Sequence, residues 1–90
     1  MIDYSISQID YKEQLQLVAS YLESALQSGR LKGESAAEGF VRLGKQAGKV
    51  RMRDIANLYF KRAVELDPER VLEVREIAKR AGVSMGGWWG

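Results

Sequence analysis

The feature that most constrains this chain is the spacing of small and large apolar residues between positions 37 and 70. They recur at helical intervals, in the order Phe40, Leu43, Gly44, Ala47, Ala56, Phe60, Ala63 and Pro68. Small residues let two helix backbones approach, and large side chains fill the space beside them. The pattern therefore predicts two helices that pack closely side by side, with a short connection between them.

The same residues resemble a tetratricopeptide repeat, a helix–turn–helix unit of about 34 residues with aromatic, Leu-Gly, Tyr, Ala, Phe and Pro positions at fixed spacing. All but one of these positions match in type and spacing. Ala47 stands where the family usually has Tyr, and Arg51 stands where it usually has the turn glycine, so Gly48 is the candidate to form the turn. The resemblance implies an antiparallel helical hairpin whose activity is to hold other protein.

The rest of the chain predicts an all-α, four-helix domain of antiparallel helical hairpins, similar to tetratricopeptide repeats. Apolar residues at three- and four-residue steps continue on both sides of the central pair. On the first helix they form one apolar stripe, and on the third helix Leu58 and Leu66 widen the stripe. The members on the first helix are Tyr11, Leu15, Val18, Leu22, Ala25 and Leu26. The predicted parts are an N-terminal arm at 1–9, a helical domain at 10–83 with helices at about 10–28, 35–47, 52–66 and 68–81, and a Gly/Trp tail at 84–90.

Three of the predicted helices have start signals in the sequence. Asp10 can cap the first helix, and Ser35 with Glu38 has the spacing of a capping box for the second. Asp67 suits the N-cap of the fourth helix, and Pro68 suits its first position, where a missing N–H is tolerated.

Glycines mark the expected helix ends at Gly29, Gly48 and Gly82, because glycine tolerates the left-handed cap conformation. Before the first helix, Ile2, Tyr4 and Ile6 alternate with polar residues, which predicts a short extended arm packed along the edge of the domain.

Composition argues against an enzyme. The chain has no His and no Cys, so the usual transition-metal ligands and the usual neutral-pH proton carrier are missing. No stretch resembles a nucleophile elbow, a phosphate loop or a paired-carboxylate site. We therefore expect a non-enzyme with no cofactor, no bound metal and no small-molecule substrate.

No run of 18 apolar residues is present, and the first ten residues lack the basic and apolar regions of a secretory signal. We therefore expect no membrane association. The expected location is cytoplasmic, or within a particle assembled inside the cell.

Two sets of residues are predicted to bind a protein partner. In the tetratricopeptide family the groove is lined by the first helix of each hairpin, which here implies Glu38, Val41, Arg42 and Lys45. The second set lies in the tail, where two adjacent Trp in a glycine-rich segment favour insertion into an apolar site. Its members are Met85, Trp88 and Trp89.

A basic cluster supports an alternative. Lys45, Lys49, Arg51 and Arg53 fall around the second helix–helix connection, where cations can bind phosphates. Residues 74–84 also resemble the opening of the helix-turn-helix in lactose-repressor-type regulators. Gly86 and Gly87 follow instead of a recognition helix, so we do not expect base-specific DNA reading.

Charge is divided unevenly along the chain. Residues 1–28 hold one Lys and four acidic residues, and residues 29–90 hold thirteen basic and eight acidic residues. Opposite net charges favour head-to-tail contact between copies, or a weakly bound anionic partner. The sequence thus predicts a self-associating structural subunit, with features that would fit a virus or phage particle. The alternatives are an accessory nucleic-acid-binding protein and a monomeric peptide-binding adaptor.

Overall fold

The structure, a computed structural model, describes the backbone of residues 4–83 and the side chains of residues 11–83. Within that part all regular secondary structure is helical, which confirms the all-α prediction. The elements are α1 (Tyr4–Gln27), α2 (Gly33–Lys49), α3 (Arg53–Leu66), a 3-10 turn (Pro68–Arg70) and α4 (Val71–Arg80). Residues 1–3 of the predicted arm and the whole predicted tail lie outside the described residues.

The centre of the fold is the contact between α2 and α3. Phe60 of α3 is fully buried against Gly44 of α2, where an added Cβ would lie 2.5 Å from ring atom Cε1. Phe40 is also buried, and its ring centroid lies 6.1 Å from that of Tyr59. The six residues predicted to join the two helices are all buried, which confirms that part of the pattern: Phe40, Leu43, Gly44, Ala56, Phe60 and Ala63.

The outer helices cover this pair from both sides. α1 buries Leu15 and Leu22, and the end of the Leu22 side chain lies 2.8 Å from where a Cβ on Gly39 would be. α4 contacts both α2 and α3 and buries Val74 and Ala78 completely. The core therefore runs through all four helices as one cluster.

The predicted start of the first helix is wrong. α1 begins at Tyr4, so residues 4–9 are helical and Asp10 lies inside the helix rather than at its N-cap. No glycine or proline occurs between Tyr4 and Gln27, so nothing in the backbone interrupts the helix there. The absence of helix-breaking residues thus outweighs the short apolar alternation that predicted an extended arm.

The predicted capping box is also wrong. α2 begins at Gly33 with Lys32 as N-cap, and no side chain caps it. Ser35 therefore lies within the first turn, and the Glu38 carboxylate accepts a hydrogen bond from Arg70 instead. Gly33 packs so closely on the end of α3 that a Cβ would lie 3.1 Å from the Leu66 carbonyl oxygen.

The predicted fourth helix is divided into two elements. Asp67 is the N-cap of the 3-10 turn, and its carboxylate accepts a hydrogen bond from Arg70 Nε at 3.0 Å rather than from a backbone N–H. Pro68 occupies the start of the turn, as expected. α4 then begins at Val71.

The turn between α2 and α3 is formed by Arg51, not by Gly48. Arg51 has φ +63°, and Gly48 lies inside α2. The Arg51 N–H donates to the Gly48 carbonyl at 3.1 Å and the Met52 N–H donates to the Ala47 carbonyl at 2.9 Å, which is a Schellman motif. Arg51 therefore takes the left-handed position that glycine usually fills.

Two other helix ends use the same motif with glycine, as predicted. Gly29 has φ +78° and Gly82 has φ +74°. After Gly82, the Val83 N–H donates to the Ala78 carbonyl at 3.0 Å, and the Val83 side chain is buried. Val83 thus folds back on the last turn of α4 and fixes the point where the described chain ends.

The Gly44 contact gives a stability prediction. Gly44→Ala should lower the free energy of unfolding, because the Phe60 ring cannot move without disturbing the core and overpacking by itself costs about 1–3 kcal/mol. This loss opposes a gain of about 1 kcal/mol from helix propensity. Gly39→Ala is the matched control, because only the mobile end of Leu22 opposes it. Denaturant unfolding should rank Gly44→Ala as the less stable variant, and the reverse order would contradict the packing.

The left-handed conformation of Arg51 gives a second stability prediction. Arg51→Gly should raise the free energy of unfolding by roughly 1 kcal/mol, because glycine removes the Cβ strain of this conformation. Arg51→Ala removes the same charge but keeps the Cβ, so it should bring no such gain. Thermal unfolding of the two variants checks this, and equal melting temperatures would mean that charge rather than backbone strain matters.

Candidate functional site

The described surface contains a groove between the ends of α2 and α4, here called the α2–α4 groove. Its volume is about 370 Å³. It is lined by Lys45, Gly48, Lys49, Ile77, Arg80 and Ala81. Because Gly48 has no side chain, α4 can approach α2 closely here, and the Ala81 Cβ lies 3.0 Å from where a Gly48 Cβ would be. This close approach forms the apolar floor of the groove.

Three cations form the rim of the α2–α4 groove. Lys45 and Lys49 are one helical turn apart on α2 and so share a face. Arg80 comes from the last turn of α4. None of the three makes an ion pair with another side chain of residues 11–83. The groove therefore combines an apolar floor with positive charge that those residues do not neutralise.

A second groove, beside the start of α2, uses its charges internally. It is lined by Glu34, Ser35, Glu38, Gly39, Arg42 and Arg70. Arg70 hydrogen-bonds both Glu38 and Asp67, and Arg42 lies 3.6 Å from Glu38. The Arg70 hydrogen bond holds the pKa of Glu38 below its usual value, and that of Arg70 is raised in return. This network ties α2 to the turn before α4.

Another charged pair joins α1 to α3. Arg62 donates from Nε and from a terminal nitrogen to the two carboxylate oxygens of Glu23, both at 2.8 Å. These hydrogen bonds raise the pKa of Arg62. Such paired geometry is stronger than a single contact. Arg62 is therefore engaged within the chain and adds little to the basic surface.

An apolar patch lies exposed on α1, formed by Leu17, Val18 and Tyr21 and here called the α1 patch. Their exposed fractions are 70%, 47% and 63%. Val18 was expected in the buried stripe of the first helix, and Leu58 in that of the third, but Leu58 is 63% exposed. Both expectations are wrong, because neither residue has a helix of the described chain packed over it.

The structure separates the residues predicted to bind a partner. Val41 is buried at 4% exposure within the core cluster, so it is not on the surface that a partner groove requires. Arg42 is exposed beside Glu38, and Lys45 lines the α2–α4 groove. Met85, Trp88 and Trp89 lie outside the described residues.

The predicted nucleic-acid cluster is divided as well. Lys45 and Lys49 line the α2–α4 groove, whereas Arg51 and Arg53 are exposed but do not line it. Sequence reasoning missed Arg80, which the fold brings to the same groove. The available signal was its place in the last turn of the fourth helix, next to a small residue.

Within the residues that the structure describes, no group of three or more acidic side chains is placed to hold a metal ion, and no helix is long and apolar enough to cross a membrane. Comparisons with protein families, with curated proteins and with solved structures gave no match to this chain. The function must therefore be inferred from the surfaces described above.

The Glu38–Arg70 contact gives a pH prediction. Because the folded-state pKa of Glu38 is lowered from 4.5, its contribution to stability is complete above that value and is lost as pH falls through the folded pKa. Glu38→Gln should therefore show a shallower loss of stability below pH 4.5 and a lower stability at neutral pH.

The control is Glu76→Gln, since Glu76 is exposed on α4 and makes no ion pair with residues 11–83. Chemical unfolding across an acidic pH series measures both variants. If Glu38→Gln keeps the acid sensitivity of the original chain, the contact does not contribute in solution.

Proposed function

We propose that this chain is a non-enzymatic subunit that self-associates head to tail into a larger structural assembly. The observation that carries the proposal is the α1 patch. Leu17 and Tyr21 lie one turn apart on the same face of α1, and Val18 lies beside them. A contiguous exposed apolar patch of this kind is typical of an interaction site.

The helix order supports the head-to-tail arrangement. The α2–α3 pair is interpreted as an antiparallel hairpin, because Gly33 at the start of α2 lies against Leu66 at the end of α3. At the other end only residues 50–52 connect the two helices. This hairpin resembles one tetratricopeptide unit. α1 then takes the place of the preceding unit's second helix, and α4 that of the following unit's first helix.

Each copy would thus carry an incomplete unit at both ends. The α1 of one copy supplies the second helix that the α4 of another copy lacks, and α4 supplies the first helix that α1 lacks. Repeat units of this kind bury their apolar faces only by stacking on neighbours. Because the two surfaces differ, the contact is heterologous and produces a ring or a filament.

Energetics and charge favour the same contact. Burying a large apolar side chain contributes about 1.5–3 kcal/mol, so Leu17 and Tyr21 provide most of the driving force. On the α4 side, Leu72 is 70% exposed. The net negative charge of residues 1–28 would meet the net positive charge of residues 29–90. Charge of this kind improves encounter rates and orientation more than affinity.

The test is solution mass across a concentration series. The original chain should exceed the single-chain mass of 10.1 kDa as concentration rises. Leu17→Gln combined with Tyr21→Gln should shift association to concentrations at least tenfold higher, a change of about 1.4 kcal/mol or more. Both substitutions are uncharged, so the electrostatic term stays constant.

The matched control is Leu58→Gln, which removes an equally exposed apolar side chain from α3 outside the proposed interface. It should associate as the original chain does. Circular dichroism should show unchanged helix content in all three proteins. A mass of one chain at every concentration would exclude self-association and favour a peptide-binding adaptor, which is expected to be a monomer.

A second candidate function, nucleic-acid contact, is favoured by one observation: Lys45, Lys49 and Arg80 share a groove without ion-pair partners among residues 11–83. Phosphate binding weakens steeply as salt rises, whereas an apolar contact does not. A salt series with a single-stranded oligonucleotide therefore separates this function from self-association.

A further inference from the structure

We propose that the α2–α4 groove is a binding site for indole side chains and that its occupant is the Trp88-Trp89 segment of the same chain. The proposal uses other side chains than the head-to-tail association, which involves the α1 patch and the exposed Leu72 of α4. It assigns a role to the aromatic residues beyond the described part of the chain and to the groove cations, which make no ion pair with residues 11–83.

The first argument is the chemistry of the lining. Ile77 and Ala81 with the bare backbone of Gly48 provide an apolar floor, and the three rim cations stand around it. A cation near the face of an aromatic ring is attracted by the ring quadrupole, most strongly for Trp. An apolar ligand without π electrons would leave the cations unused, and a simple anion would leave the floor unused. An indole uses both.

The second argument is reach. The described chain ends at Val83, whose position is fixed by its hydrogen bond to Ala78 and by burial at 5% exposure. Ala81, two residues earlier, already lines the groove. Five residue steps lead from Val83 to Trp88, and an extended chain covers at most about 3.3–3.6 Å per step, or roughly 17 Å. The Ala81 Cβ lies 3.0 Å from where a Gly48 Cβ would be, and Lys45 is only about 4.5 Å from Gly48 along α2, so the segment is long enough to return to these lining residues.

The third argument is the cost of leaving two adjacent indoles in water. Each aromatic side chain of this size buries roughly 150–250 Å² when it docks. The groove volume of about 370 Å³ falls within the range of ordinary ligand pockets. Gly86 and Gly87 precede the Trp pair in the sequence, and glycine permits the turns that a return to the groove requires.

The composition of the chain makes the test selective. Trp88 and Trp89 are its only two Trp, so fluorescence excited selectively in Trp reports on this segment alone. In the full chain, emission should be blue-shifted relative to a synthetic peptide of residues 84–90, and acrylamide should quench it less. Emission and quenching equal to those of the free peptide would overturn the proposal.

A groove variant locates the binding place. Lys45→Gln, Lys49→Gln and Arg80→Gln together remove the rim cations without touching the buried core. This variant should lose the blue shift and the protection from acrylamide. The matched control combines Arg51→Gln, Arg53→Gln and Lys61→Gln, which removes three exposed cations elsewhere and should leave both signals unchanged. Unchanged signals in the groove variant, or equal losses in both, would overturn the assignment to this groove.

Dilution shows whether the Trp segment binds its own chain or another copy. Binding within one chain predicts an emission spectrum that does not change with protein concentration, even where solution mass does change. A blue shift that disappears on dilution would overturn binding within one chain, because the segment would then occupy another copy. The α1 double variant separates the two proposals: loss of self-association in that variant should leave the Trp signal intact.

Discussion

The close approach of Phe60 to Gly44 is the contact on which the rest of the structure depends. Glycine inside a helix costs about 1 kcal/mol relative to alanine, yet a Cβ here would lie 2.5 Å from the ring. Overpacking a core costs about 1–3 kcal/mol, so the packing term outweighs propensity. With α2 and α3 held this closely, Phe40 and Tyr59 come into ring contact, and α1 and α4 find a continuous surface to cover.

Much of this core could be predicted from the sequence, because residue size and helical period are local properties. The cap glycines Gly29 and Gly82 could be predicted for the same reason. The helix boundaries were harder to predict, since they depend on competition between local capping signals and contacts made by folding. Glu38 had the spacing to cap α2, but folding brings Arg70 beside it. A hydrogen bond between two charged groups is stronger than one to a backbone N–H, so Glu38 binds Arg70. Arg51 takes a left-handed φ where the sequence offered Gly48. The two helices and their short connection fix that position.

The surfaces were only partly predictable. Periodicity tells which side of a helix is apolar, but not how many neighbours will cover it, so Val18 and Leu58 looked like core residues and are exposed. Conversely, Val41 was assigned to a groove by position and is buried. Lys45 and Lys49 could be paired from their spacing, whereas Arg80 joins them only because α4 packs against the end of α2.

Charged side chains are used in two different ways in the described part of this chain. Glu23 and Glu38 each hold an arginine of another element, and Asp67 holds Arg70 within the turn that Asp67 caps. The first two contacts fix how the elements pack together. The rim cations of the α2–α4 groove satisfy no carboxylate among residues 11–83. Their proximity is unfavourable by itself, since like charges repel, and the two helix C-termini offset only about 0.3–1 kcal/mol for each charge. Rim cations that pair with no carboxylate of residues 11–83, around an apolar floor, are what the proposal of a bound aromatic segment rests on. Aromatic rings fit this combination, since they offer electron density to the cations and apolar area to the floor.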